Sequence, residues 1–143
     1  MADQNYKTHR RFVPLYHFVL SLLLLAGLGG SVVNLWKSHD PHVHYSAALI
    51  LLVFVCLILV YYFVRAFALK AQDRAIRAEE NLRHYVLTGS LLDARLTTRQ
   101  IVGLRFAADG EFQELAGKAA AEGLSEEAIK RSIKDWRGDH YRV

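Results

Sequence analysis

The sequence is poor in the residues that build stapled or catalytic folds. It has one cysteine, Cys56. That excludes an internal disulfide and leaves Cys56 as a small apolar side chain. No glycine-rich phosphate loop, nucleophile elbow, HExxH or paired-cysteine motif is present, and no enzyme is expected. There is no strand-length alternation and no internal repeat. The most informative absence is that of charge: residues 12–36 contain no Asp, Glu, Lys or Arg, and neither do residues 45–64.

Aliphatic and aromatic side chains fill those two runs. Roughly 20 residues rising 1.5 Å each cross the hydrocarbon core of a bilayer. A chain of 143 residues is too short to cover two fully apolar helices in a soluble core. Two membrane helices are therefore expected. The first run exceeds a signal-peptide h-region and is expected to be a retained anchor.

The net charge of +4 is modest, and its placement matters more than its size. Lys7, Arg10 and Arg11 precede the first run, and Arg65, Lys70, Arg74 and Arg77 follow the second. Residues 37–44 between them hold only Lys37 and Asp40. Positive residues collect on the cytoplasmic side, so both termini are expected in the cytoplasm, with membrane lipids as partners. The basic pI thus needs no nucleic acid.

Residues 64–86 lack glycine and proline, and Phe67, Ala71, Ala75, Ala78, Leu82 and Tyr85 share one helical face. Asp73/Arg77 and Glu79/Arg83 are placed to pair four residues apart. The second helix should run unbroken into a cytoplasmic stem and end at Gly89-Ser90. Beyond it, Thr97 and Gln100 form a capping-box pattern. Asp109 is placed to cap a helix running to Gly123. Ser125, followed by Glu126 and Glu127, is placed to start a third short helix carrying Ile129, Ile133 and Trp136.

The expected fold is an all-α membrane protein. A basic arm (1–11) leads into a transmembrane hairpin (12–64, spans 12–36 and 45–64). A helical stem (65–88) and a small helical C-terminal region (89–143) follow. The last piece is undersized for a core of its own and is expected to dock on the stem or on a partner.

Candidate sites are few. Ala26/Gly30 and Gly27/Ser31 are small residues four apart in the first run, where a second helix could approach closely. Ala71, Ala75 and Ala78 offer a similar stripe on the stem. His39, Asp40, His42 and His44 crowd the outer loop as weak candidate metal ligands, against the plainer reading of a polar loop in which His44 caps the second helix. His17 is a weak candidate for holding a cofactor, against a local hydrogen bond. No cofactor or metal is expected. Residues 119–133 loosely mimic a helix-turn-helix, with Lys130, Arg131 and Lys134 as the DNA-facing set. Glu126, Glu127 and Asp135 on the same piece repel phosphate, so a plain helical hairpin is preferred.

The arm from Asn5 to Phe12 with Pro14, Tyr16 and His17, and above all the stem from Leu69 to Arg83, carry a resemblance. So do Arg99, Gln100 and the run from Leu104 to Ala107, and the end with Trp136, Arg137, Tyr141, Arg142 and Val143. Together they resemble a bacterial family of small two-span membrane proteins of unknown function. The resemblance implies a bacterial inner membrane and brings no activity or cofactor. The expected function is a non-enzymatic scaffold or accessory subunit that self-associates or joins a larger membrane complex. One alternative is a membrane-anchored regulator whose helical tail binds a protein or DNA. Another is an oligomeric channel lined by Ser21, Ser31 or Asn34, although uncharged spans disfavour an ion path.

Overall fold

The computed structural model describes residues 4–6, 8 and 12–139. The arm's Lys7, Arg10 and Arg11, and Tyr141, Arg142 and Val143, lie outside the described residues. Among the described residues the chain is all-helical: a π-helical stretch Leu15–Leu20, then α1 (Ser21–Lys37), α2 (Pro41–Thr88), α3 (Thr98–Leu104), α4 (Asp109–Glu122) and α5 (Glu126–Ser132). It divides into two units, Arg11–Phe67 and a second made of Met1–Arg10 with Ala68–Val143.

In the first unit, Pro14 enters the helix where a missing N–H leaves nothing unpaired. The amides of Tyr16 and His17 both donate to the Val13 carbonyl. The wider π winding follows, and Tyr16 stacks on Tyr61 with ring centroids 4.5 Å apart. Leu15–Lys37 and Pro41–Thr88 are both long and apolar enough to cross a membrane. α1 ends where Ser38 turns extended and returns both its amide and its hydroxyl to the Asn34 carbonyl. α2 begins at Pro41, four residues before the expected Tyr45, because Asp40 accepts the amides of His42 (2.9 Å) and Val43 (3.3 Å). Asp40, not His44, therefore caps this helix.

α2 continues without a break to Thr88, as its lack of glycine and proline predicts. Gly89 stops it at φ +76, a backbone state that favours glycine. The Thr88 hydroxyl and the His84 ring secure the turn by bonding to the Ser90 carbonyl.

In the second unit, α3 carries the expected capping box: Thr97 and Gln100 satisfy each other's backbone amides. Ser125 caps α5 by accepting from the Ala128 amide. α4 closes at Gly123 in the left-handed region. Phe106, Phe112, Ile101, Leu104 and Ile129 are fully buried between the three short helices. Gln100 serves this core at both ends: its amide nitrogen donates to the carbonyls of Ala119 and Leu124, and its oxygen accepts from Thr97. Two expectations fail here. Asp109 is the first helical residue of α4, not its cap; Ala108 holds the cap position with no side-chain bond. α5 ends at Ser132, so Ile133 and Trp136 lie beyond it. Trp136 instead forms an isolated antiparallel bridge with Ala107 and packs on Phe106.

Candidate functional site

The small residues of α1 divide between two faces. Gly27 sits so close to Phe54 of α2 that a Cβ built on it would overlap the edge of the ring. Ser31 is buried on the same face and donates to the Leu28 carbonyl at 2.7 Å. Gly30 has open space where its Cβ would be, and Ala26 is exposed. At the other end of the hairpin, Tyr16 donates to the Tyr61 carbonyl (2.7 Å) and Ser21 shares a hydrogen bond with the Tyr61 hydroxyl (2.7 Å). The first unit thus holds its two helices by one tight apolar approach and one polar pin.

The expected histidine sites stay local. Asp40 is taken up by the start of α2, and the His44 ring meets the Ser38 carbonyl at 3.1 Å. His39 and His42 are exposed, and among the described residues no three His, Cys, Asp or Glu side chains gather as metal ligands. The His17 ring lies 3.0 Å from both the amide and the carbonyl of Val13.

The residue that organises the second unit is Arg83, which sequence reasoning assigned to Glu79. Arg83 instead donates to Glu80 (2.9 Å), to Asp109 (2.7 Å) and to the Ala107 carbonyl (2.7 Å). Its guanidinium also lies 4.2 Å from the centre of the Phe112 ring. Glu80 and Ile76 are buried on this side of the stem. Charge-assisted bonds of this kind are short and strong, and a planar fork suits three acceptors at once. The Asp73/Arg77 pair does not form among the described residues, and Ala71, Ala75 and Ala78 are exposed. The stem thus docks through Ile76, Glu80 and Arg83, not through its alanines. The only sequence signal for this was a Glu and an Arg three apart on the face away from the alanines.

The arm joins the same unit. The Gln4 amide side chain bonds both the amide (2.9 Å) and the carbonyl (3.0 Å) of Asp139. Tyr6 meets Glu127 and Arg131 on α5, and Arg131 is held more firmly protonated by Tyr6 first and Glu127 second. Arg105, with Phe106 under its guanidinium, pairs with Asp139 at 3.2 Å. At an exposed turn Asp93 is drawn down to about 2 by hydrogen bonds from Arg95.

An open cleft of about 690 Å³ lies beside α5, bordered by Arg95, Gln100, Glu126 and Lys130. Lys130 is paired with Glu126, and Arg131 with Glu127. The helix-turn-helix look-alike therefore neutralises two of its three basic residues internally. The chemistry these side chains perform is mutual: they fix the arm, the stem and the short helices to one another.

No curated protein and no solved structure matches the chain. One family description covers its full length, residues 1–143, and the chain accordingly belongs to DUF6526, a family of unknown function.

Proposed function

We propose that this protein is a non-enzymatic membrane scaffold or accessory subunit, anchored in a bacterial inner membrane by its hairpin and offering to partners the lobe built by α3, α4 and α5. The outward direction of the apolar side chains carries the proposal. Leu15, Leu22 and Leu25 on one helix, and Leu52, Val60 and Tyr62 on the other, are each more than half exposed. A contiguous apolar surface of that extent marks contact with lipid or protein. The hairpin keeps its backbone bonds within helices, as a bilayer demands.

The arm supports an even number of crossings. Gln4 and Tyr6 precede the first apolar helix and pack with Asp139, Glu127 and Arg131, which follow the second. On this reading both ends share one side, and the excess of Lys and Arg favours the cytoplasm for it. The internal pairing of Lys130 and Arg131 favours a protein partner over DNA.

Alkaline carbonate washing of membranes expressing the full chain tests the anchor; the chain should stay in the pellet. Single cysteines in a Cys56→Ala background then test sidedness. A membrane-impermeant maleimide should label Ser38→Cys from outside intact cells and leave Ser90→Cys unlabelled. Labelling at position 90 from outside would overturn the topology.

A further inference from the structure

We propose that the outer face of the stem is a self-association seam, and that its occupant is the stem of a second copy of this chain lying parallel and in register. This deepens the scaffold reading and rests on it for the parallel orientation, because two copies in one membrane present their stems in the same direction.

Ala71, Ala75, Ala78, Leu82 and Tyr85 recur at steps of four, three, four and three, which is the a/d spacing of a coiled coil. Over about 21 Å of helix this stripe is exposed throughout, and Leu82 and Tyr85 are 63% and 54% exposed. The lobe meets the stem through Ile76, Glu80 and Arg83, and a cleft of about 420 Å³ between them, bordered by Arg105 and Arg137, reaches the edge of the seam at Ala75 and Glu79. Beyond that edge the seam is an exposed helix face with large apolar side chains at one end and small ones at the other. Small side chains let two helix axes approach closely, while Leu82 and Tyr85 supply the buried area.

Charge selects the occupant. With Ala75 and Leu82 at a, and Ala71, Ala78 and Tyr85 at d, Arg74 falls at g and Glu79 at e. They flank the seam on opposite edges, five residues apart. Both are exposed, and neither joins an ion pair among the described residues. In a parallel in-register pair, g of one helix faces e of the next heptad on its partner, so Arg74 meets Glu79 of the second copy twice, once on each side. An antiparallel pair sets the arginine edge against itself. Membrane tethering raises the local concentration of the second stem, so a short seam suffices.

The test uses the full chain in native membrane vesicles. Ala75→Cys and Leu82→Cys, each in a Cys56→Ala background, should give disulfide-linked homodimers on mild oxidation; Arg77→Cys, exposed but off the seam, should not. Arg74→Glu or Glu79→Arg alone should weaken association roughly tenfold, since two exposed pairs turn from attraction to repulsion. The double variant Arg74→Glu/Glu79→Arg should restore it. Equal crosslinking at 75, 77 and 82, no homodimer at 75 and 82, a bond to a different protein there, or no rescue by the double variant overturns the seam. Carbonate washing of the same vesicles separates the two claims. A retained chain without seam crosslinks sinks the seam and leaves the anchor. An extracted chain sinks the anchor, and the same crosslinks and charge swap then judge the seam on the released protein.

Discussion

In the unit Arg11–Phe67 most large side chains turn away from the helix pair, Leu24 and Phe54 being exceptions, whereas in the lobe they turn inward. The hairpin closes on Gly27, Ser31 and Ala47, with the ring of Phe54 laid over the glycine. The lobe closes on Phe106, Phe112, Ile101, Leu104 and Ile129. Both units are built from helices, yet they solve opposite problems. On the proposed membrane reading the hairpin's surroundings are apolar, where burying leucine gains little and helices associate through close approach and polar pins such as Tyr16–Tyr61–Ser21. Where the surroundings are water, area removed from water is the main driving force. The contrast teaches that the lobe carries its own core, whereas the hairpin, on the proposed membrane reading, leaves its apolar surface to its medium.

The strongest way to break this contrast is to hollow the lobe. Phe112→Ala removes a fully buried ring that also lies beneath Arg83 and should cost about 4 kcal/mol. Denaturant unfolding followed by Trp136 fluorescence in a Trp36→Phe background should lose its cooperative transition. An unchanged midpoint would show that the lobe does not rest on its core.

Next comes the clamp. Glu80→Ala strips a buried carboxylate from Arg83, whose remaining carboxylate partner, Asp109, is largely exposed. Breaking a buried pair from one side should cost about 3 kcal/mol. Hydrogen exchange at residues 76–83 should accelerate while the hairpin's amides stay protected. Uniform acceleration along the chain would contradict a clamp confined to the second unit.

A pair of substitutions sharpens the hairpin side. Gly27→Leu drives a side chain into Phe54 and should destabilise the helix pair by about 2 kcal/mol. Gly30→Leu meets open space and should leave the pair intact. Thermal unfolding of both variants in one detergent decides; equal midpoints would mean that Gly27 does not sit at a close approach.

The smallest effect is one of pH. Arg95 lowers Asp93 to about 2, below its unfolded value near 3.9. The stabilisation is complete above about pH 4 and is lost as pH falls toward 2. Asp93 is exposed, so salt should screen the effect. The melting temperature of Asp93→Asn should depend less on pH in that window than that of the parent chain, and a matching dependence would remove Asp93 from the account.

Local chemistry was legible in the sequence. The caps at Thr97 and Ser125, the stops at Gly89 and Gly123, and the unbroken α2 all depend on residues within one or two turns of each other. What failed needed partners far along the chain. Asp109 has the composition of a cap, but its carboxylate goes to Arg83, 26 residues away. Ile133 and Trp136 continue a helical period on paper, but a bridge to Ala107 draws Trp136 out of α5. Likewise the alanine stripe was visible, yet which stem face meets the lobe was decided by Glu80 and Arg83. The histidines near Pro41 were conspicuous in composition, but among the described residues they bring no three metal-ligating side chains together, and the start of α2 claims Asp40.

The clasp between Gln4 and Asp139 joins residues 135 positions apart. A ribosome adds roughly 5–20 residues each second, so the arm waits on the order of ten seconds for its backbone partner to be made. Through that interval the apolar helices have emerged and Gln4 has nothing at that position to hold. The clasp is therefore available only after the hairpin, the stem and the three short helices have all been synthesised.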